Sequence, residues 1–167
     1  MRFFRDRLLT HSQIRIGKNK KPIVITKFRT LARDAHKDFD NRLKNSDLTL
    51  FRRNISESNG LGKILRRTKL DELPQVISLL KGEINLVGIR PLVRQVYSKL
   101  PIDIKKIYAA TGPGLLGLDY ALPKKQRTEE NLCKLYKQFY SEWKKSKNKA
   151  YTKYALRILK NGFLLGW

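Results

Sequence analysis

The spacing of apolar residues is the sequence feature that most restricts how this chain can fold. Apolar side chains recur every three or four residues, the period of a helix with one buried face, in three stretches: 71–81, 131–145 and 150–160. Strand patterns are confined to the alternating Gln13–Ile16 and the β-branched Pro22–Thr26, which a lysine-rich segment separates. The sequence therefore predicts an α+β fold, mostly helical, with one small antiparallel β-hairpin at 12–27 and a basic hairpin tip.

Proline, glycine and polar residues divide the rest of the chain. Further helices are expected where a proline can open one or a short periodic run occurs: 61–67, 91–100 and 101–110. Residues 33–60 are interpreted as a long loop with short helical pieces, and 84–91 as a connecting segment. No internal repeat and no domain boundary is evident, which predicts a single domain over residues 1–167.

The strong positive charge indicates an anionic partner. The 167 residues include 37 Lys and Arg against 14 Asp and Glu, a formal net charge of +23. That excess suits nucleic acid, an anionic lipid surface or a phosphorylated substrate. The single cysteine, Cys133, excludes an internal disulfide and fits a reducing compartment. No apolar run approaches the roughly 20 residues of a membrane span, so cytoplasmic residence with at most peripheral membrane contact is expected.

Two adjacent carboxylates, Asp71 and Glu72, stand among cations in a chain where acids are scarce. One interpretation is structural. Thr68 and Asp71 match a capping box, or Asp71 is itself the N-cap of the following helix. Acids at such a position are ordinary and typically contribute about 1 kcal/mol or less.

The other interpretation is chemical. A helix N-terminus binds phosphate readily, and Arg66 and Arg90 could meet a diphosphate beside the carboxylates if the chain folds back. One carboxylate could then attack phosphorus as a nucleophile. Its neighbour could bind Mg²⁺, which prefers oxygen ligands and substrate phosphates.

Two segments carry a resemblance to a known family. Residues 66–75 read RRTKLDELPQ and residues 80–91 read LKGEINLVGIRP, and Lys27–Thr30 and Pro113–Gly117 match as well. On these motifs the chain resembles the bacterial sugar transferases. These are the monotopic polyprenyl-phosphate glycosyl-1-phosphate (phosphoglycosyl) transferases, which start capsule, exopolysaccharide and glycoprotein glycan assembly. The resemblance implies a catalytic core at 61–117.

The resemblance also implies a reaction and a role for each matching residue. The family's nucleophile matches Asp71, which would attack the β-phosphate of a nucleotide sugar, form a covalent phosphosugar and pass it to polyprenyl phosphate. Glu72 would bind the cofactor Mg²⁺, and Arg66 would support the active site. Arg90 would contact the nucleotide phosphates. Further substrate-binding residues are expected at Lys27, Arg29, Gly88 and Pro91, although the first two could equally be edge-strand charges.

Three departures from the family pattern leave questions open. The chain starts where the family's apolar membrane helix would end, so a truncation, a separately encoded anchor and an inactive partial transferase are all possible. The family's Gly-Pro-Arg-Pro reads GIRP at 88–91, and Leu116 replaces a hydroxyl residue. Residues 118–123 replace the next family motif, so the sugar and the nucleotide are not identified.

The basic C-terminal helices, expected within 128–163, raise a further hypothesis. They could lie on an anionic leaflet at the cytoplasmic face of the inner membrane, with Trp143 and Trp167 near the headgroups. Alternatively, both apolar faces pack into the core. The expected partners are thus a nucleotide sugar, polyprenyl phosphate, and an anionic membrane surface or separate anchor. Nucleic-acid binding is the alternative function, disfavoured because the chain has no nucleic-acid motif and its basic residues are spread over the whole length.

Overall fold

The structure, a computed structural model, describes residues 10–30 and 60–165. The strands are β1 (Thr10–Ile16), β2 (Pro22–Phe28), β3 (Asn85–Gly88) and β4 (Gly114–Gly117). The α-helices are α1 (Gly60–Thr68), α2 (Val76–Leu80), α3 (Arg94–Lys99), α4 (Ile102–Thr111), α5 (Glu129–Lys145) and α6 (Lys147–Leu165). Short 3-10 helices occupy Lys18–Lys20, Leu70–Gln75, Leu118–Ala121 and Lys124–Gln126. The prediction of a mostly helical α+β fold is confirmed, and the loop expected at 33–60 lies outside the described residues apart from residue 60.

The predicted hairpin and its basic tip are confirmed. β1 and β2 pair antiparallel, from Thr10 opposite Phe28 to Ile16 opposite Pro22. The tip is a 3-10 turn in which Asn19 and Lys20 adopt positive φ values of 53° and 63°. The hairpin joins the body of the protein where the N–H of Ile16 donates to the carbonyl of Leu92 at 2.8 Å.

The interpretation of 84–91 as a connecting segment was wrong in part, because these residues include β3. β3 pairs in parallel with β4, which places Asn85 opposite Gly114 and Gly88 opposite Gly117. The backbones approach so closely that a Cβ on Gly114 would overlap the backbone of Gly88. Four-residue strands that contain glycine are too short to show alternation, so the sequence gives no local signal for them.

The helix predicted at 71–81 is divided into the 3-10 helix Leu70–Gln75 and α2. Pro74 lies inside the first part, where its ring lacks the N–H that an α-helix needs. The orientation is also unexpected for an amphipathic segment. Its buried side chains are polar, namely Asp71, Glu72, Gln75 and Ser78, and its exposed ones are apolar, namely Leu73, Val76, Ile77 and Leu80.

The other predicted helices are present within a few residues of their expected bounds, except that α3 begins at Arg94 rather than at Pro91. Residues between β3 and α3 remain extended because Leu92 bridges to Ile16 of the hairpin. No helix within residues 10–30 and 60–165 is long and apolar enough to cross a bilayer.

The core lies between the β3–β4 pair, α4 and the two C-terminal helices. α5 contributes Leu132, Leu135, Tyr136 and Phe139, and α6 contributes Ala150, Tyr154 and Ile158. Phe139 and Tyr154 meet edge to face, with ring centroids 5.2 Å apart. These side chains are therefore buried against the rest of the domain, whereas Leu156 and Leu159 of α6 are exposed. Of the two interpretations of the C-terminal helices, packing into the core is the one confirmed.

Candidate active site

A left-handed residue aims the two carboxylates inward. α1 ends at Thr68, Lys69 adopts φ 59°, and the 3-10 helix Leu70–Gln75, called the dyad turn below, begins. A non-glycine residue in this conformation costs roughly 1–2 kcal/mol, which marks the position as constrained by its surroundings. As a result Asp71 and Glu72 are only 4% and 8% exposed.

Neither capping interpretation of the dyad is correct. The residue that precedes the dyad turn is Lys69, and its side chain makes no capping hydrogen bond. The Thr68 hydroxyl instead donates back into α1, to the carbonyl of Ile64 at 2.9 Å. The two acids are therefore not explained as helix caps, and their burial needs another source of stabilisation.

Cations from two distant segments stabilise the carboxylate of Glu72. Oε1 of Glu72 accepts hydrogen bonds from Nη2 of Arg90 at 2.7 Å and from Nζ of Lys27 at 3.1 Å. Lys27 comes from β2, and Arg90 follows β3. Charge-assisted bonds of this kind are stronger than neutral ones, and shielding from water strengthens them further. Through Lys27, the hairpin therefore reaches the dyad at Glu72.

The other expected site residues lie around this centre. Nε of Arg66 donates to the hydroxyl of the buried Thr30 at 2.6 Å, which ties α1 to the end of the hairpin. Arg29 is half-buried just beyond β2, on the same side of the chain as Lys27 by strand alternation. The structure thus gathers cations from α1 and β2 on the side of the molecule where the dyad turn packs.

The motif around Arg90 has a structural role on either side of the arginine. A Cβ on Gly88 would stand 2.8 Å from the backbone nitrogen of Gly114, so only glycine permits the close strand pairing there. The carbonyl of Pro91 accepts from Nη1 of Arg15 at 3.3 Å. These contacts hold the backbone on both sides of Arg90 and so determine where its side chain emerges.

Arg90 is further held by the segment after β4. Its Nη1 donates to the hydroxyl of Tyr120 at 2.5 Å, and its stem crosses Gly117 so closely that a Cβ there would overlap it. Burial opposes the charged guanidinium, but electrostatic interactions with Tyr120, Glu72 and Asp119 outweigh burial and raise the pKa of Arg90 above its ordinary value. Arg90 therefore stays protonated at any pH at which the protein is folded.

Tyr120 collects three cations, of which sequence reasoning assigned a role only to Arg90. Nζ of Lys69 lies 3.0 Å from the ring centroid, Cζ of Arg127 4.7 Å and Cζ of Arg90 5.3 Å. Lys69 could be noticed as a neighbour of the dyad. Tyr120 lies in the segment 118–123, which departs from the family pattern, and Arg127 follows that segment. No spacing in the sequence links either residue to residue 71.

The carboxylate pair by itself supplies only some of the oxygen ligands that Mg²⁺ needs. Among the described residues, no three His, Cys, Asp or Glu side chains come together as a possible metal site. Mg²⁺ typically takes one or two carboxylates and completes its shell with water and substrate phosphates. Asp71 and Glu72 supply that number of hard oxygen ligands, so the residues present fit the ion when a phosphorylated substrate supplies the remaining oxygens.

The outer side of the same elements is apolar. α1, the dyad turn and α2 expose seven aliphatic side chains, which we call the apolar face: Leu61, Ile64, Leu70, Leu73, Val76, Ile77 and Leu80. Leu80 alone is 83% exposed. Lys63 and Lys81 are exposed on these same elements. Exposed apolar patches rimmed by polar or charged residues mark interaction surfaces.

Comparison with known proteins matches the chain to one family. The family model described as bacterial sugar transferase matches residues 4–153. The galactosyl transferase CpsE of Streptococcus agalactiae serotype III is 31% identical over 136 residues, which cover 79% of this chain and 30% of that protein. The undecaprenyl-phosphate galactose phosphotransferase of Salmonella typhimurium is 30% identical over 111 residues, covering 62% of this chain and 23% of the relative.

The name of a third relative includes a nucleotide sugar. The UDP-N-acetylgalactosamine-undecaprenyl-phosphate N-acetylgalactosaminephosphotransferase of Aeromonas hydrophila is 32% identical over 92 residues, which cover 55% of this chain and 20% of the relative. The chain therefore spans less than a third of the length of each of these three relatives.

Proposed function

Since the chain belongs to the bacterial sugar transferase family, we propose that it transfers a sugar 1-phosphate from a nucleotide-activated sugar to polyprenyl phosphate. Such a transfer would start the assembly of a bacterial exopolysaccharide, capsule or other glycan. The observation that carries the proposal is the buried pair Asp71 and Glu72, with Lys27 and Arg90 converging on one carboxylate oxygen. An anionic nucleophile beside fixed cations suits a reaction at phosphorus.

In the first step a carboxylate oxygen of Asp71 attacks the β-phosphorus of the donor. The bond from this phosphorus to the oxygen that bridges the two phosphates breaks, and the nucleoside monophosphate leaves with the bonding electrons. Asp71 then carries the sugar phosphate as an acyl phosphate. Burial of the Asp71 carboxylate, which is 4% exposed, removes most of the water that would otherwise solvate the nucleophile.

In the second step a phosphate oxygen of polyprenyl phosphate attacks the same phosphorus. The bond between Asp71 and phosphorus breaks, the carboxylate is regenerated, and the product is a polyprenyl diphosphate-linked sugar. No net proton is gained or lost in either displacement as written. Splitting the transfer in this way lets donor and acceptor occupy the site in turn.

The surrounding cations would position the substrate and balance its charge. Arg90, fixed by Glu72 and Tyr120, presents a guanidinium that can bind phosphate oxygens. Arg66, Arg29 and Lys27 add positive charge along the hairpin side, and Gly88 and Pro91 fix the backbone around Arg90. Mg²⁺, when held by Glu72 with Asp71 nearby, would neutralise charge on the phosphate oxygens of the donor.

We propose that the apolar face contacts an anionic lipid leaflet, which would bring the site close to a membrane-borne acceptor. It lies on the outer side of the dyad turn, and the acids lie on the inner side of the same turn. Exposed aliphatic side chains beside Lys63 and Lys81 match the composition of interfacial helices. The net charge of +23 adds attraction to anionic lipids. This surface replaces the C-terminal helices as the proposed membrane contact.

The reaction is tested by intact-mass measurement of the full chain after incubation with a nucleotide sugar, Mg²⁺ and no acceptor. UDP-N-acetylgalactosamine is the first donor to use, followed by a panel of other nucleotide sugars. We expect a mass increase of one sugar phosphate, lost in Asp71→Asn and kept in the control Asp103→Asn, which changes an exposed acid on α4. Turnover that persists in a folded Asp71→Asn protein would exclude this residue as nucleophile.

A further inference from the structure

The ring of Tyr120 is the meeting point of three segments that are remote in sequence. Lys69 comes from the junction before the dyad turn, Arg90 from the end of β3, and Arg127 from the turn that precedes α5. All three cationic groups lie within 5.3 Å of one ring centroid. The ring itself is buried, and the Arg90 side chain is only 15% exposed. The side chains of Lys69 and Arg127 are half-buried, so part of each faces solvent.

Such a gathering of like charges carries an electrostatic cost. Cations this close repel one another, more strongly where water is partly excluded. The π-face of an aromatic ring attracts cations and offsets part of this repulsion. Two carboxylates offset more of the repulsion. Glu72 accepts a hydrogen bond from Arg90. The buried Asp119 interacts electrostatically with Arg90, and its Oδ1 has no hydrogen-bond partner among the described residues.

Arg127 has a neutral hydrogen-bond partner. Its Nε donates to the carbonyl of Leu122 at 3.0 Å, a neutral acceptor that orients the guanidinium without compensating its charge. No carboxylate of the described residues forms an ion pair with it. An arginine held in this way keeps donors available for an anion, and phosphate is the anion that its planar fork matches well.

We propose that Lys69, Arg90 and Arg127, arranged on Tyr120, form a binding site for the phosphate oxygens of a substrate beside the carboxylate pair. The identity of the substrate rests on the proposed function, whereas the anion site rests on the contacts around Tyr120. Arg90 links the two, since the same guanidinium contacts both Tyr120 and Glu72. A phosphate held here would lie next to the dyad.

Tyr120 acts as a positioning residue in this arrangement. Its ring sets the distance between Lys69 and Arg127, and its hydroxyl accepts from Arg90 and orients that guanidinium. Tyr120 lies within residues 118–123, where this chain departs from the family pattern. Arg127 lies four residues after that segment, in the turn before α5, and completes the cluster.

The phosphate oxygens could belong to the diphosphate of the donor or to the single phosphate of the acceptor. Titration calorimetry with inorganic pyrophosphate and, separately, inorganic phosphate distinguishes the two sources without any sugar, lipid or turnover. The measurements are made on the full chain at low ionic strength, because salt screens exposed charges.

Arg127→Gln removes one cation from the cluster, and Lys125→Gln is its matched control, with the same charge change on an exposed side chain of the same turn. We expect Arg127→Gln to weaken pyrophosphate binding about tenfold and Lys125→Gln by less than about twofold. Tyr120→Phe keeps the ring and loses the hydroxyl, so it should retain more affinity than Tyr120→Leu, which loses both.

Each outcome decides the proposal. If Arg127→Gln weakens the binding of pyrophosphate much more than that of phosphate, the site binds the diphosphate of the donor. If the binding of both anions is weakened equally, the site binds a single phosphate, as in the acceptor. If Arg127→Gln and Lys125→Gln weaken pyrophosphate binding equally, or if neither weakens it, the proposed site is refuted. This conclusion does not depend on whether Tyr120→Leu folds. The Asp71 adduct is measured separately. If the unmodified chain forms no adduct but its pyrophosphate binding depends on Arg127, this inference stands and the proposed reaction is refuted.

Discussion

Replacement of Gly114 by alanine is expected to force β3 and β4 apart. The added Cβ would lie 2.5 Å from the carbonyl carbon of Val87 and 2.6 Å from Cα of Gly88, and closer still to the backbone nitrogen of Gly88. Nonbonded carbon atoms are most stable at about 3.5–4.0 Å, so the strands must separate by about 1 Å. Both sides of the contact are backbone, and no side-chain rotation can relieve it.

The separation weakens the hydrogen bonds that hold the pair. The N–H of Asn85 donates to Pro113 at 2.8 Å and that of Gly114 donates to Ile89 at 2.9 Å, each contributing about 1 kcal/mol net. Disturbed packing around the buried Val87 adds to the loss, as overpacked cores typically lose about 1–3 kcal/mol. We therefore expect Gly114→Ala to lower the free energy of unfolding by about 3 kcal/mol.

Urea unfolding followed by far-UV circular dichroism measures this loss. The control is Gly60→Ala at the start of α1, where an added Cβ meets nothing within 4 Å. Its effect should stay within about 1 kcal/mol, the difference in helix propensity between glycine and alanine. A Gly114→Ala protein as stable as the wild type would refute the close parallel pairing, and with it the account of how β3 delivers Arg90 to the dyad.

Three further predictions address the membrane surface, the hairpin and the cysteine. Ile77→Glu should reduce flotation with anionic vesicles at low salt, whereas Leu156→Glu on the exposed side of α6 should not; equal effects of the two variants would remove the apolar face as the contact. Tyr108→Phe deletes a buried hydroxyl that joins β1 to the segment after β3, and should lower the free energy of unfolding by about 1–3 kcal/mol, with unchanged urea stability as the contrary result. Burial, followed by the Glu129 and Asp103 carboxylates, raises the pKa of Cys133 above its ordinary value. Alkylation with iodoacetamide at mildly alkaline pH should therefore be slower in the folded than in the unfolded chain, because less thiolate is present; an equal or faster rate when folded would contradict the shift.

Elements governed by local pattern could be predicted from the sequence. The hairpin, α1, α4 and the two C-terminal helices follow from periodicity together with proline and glycine positions, which act over a few residues. β3 and β4 could not be predicted, because each is four residues long and the two pair across a sequence separation that includes α3 and α4. Periodicity also identified the segment after Leu70 as amphipathic but could not say which environment each side meets.

Some residues of the candidate site could likewise be predicted from the sequence, and others could not. Asp71, Glu72, Arg66 and Arg90 could be named because a compact motif and a family resemblance place them in the middle of the chain. The contact from Lys27 depends on how the hairpin packs on the dyad turn, and only the general proximity could be anticipated. Tyr120 and Arg127 could not be found, since their connection to the dyad passes through Lys69 and Arg90 and exists only in three dimensions.

The reversed orientation of α2 inverts the usual rule for tolerance to substitution. On most helices of a soluble domain, aliphatic positions are sensitive and polar positions are permissive. Here the chain should fold with polar residues at Val76, Ile77 or Leu80, whereas an aliphatic residue at Gln75 or Ser78 would remove a buried polar group. A mutational scan read out by folding alone would thus score the aliphatic positions as dispensable, although they are the ones that we propose to contact lipid.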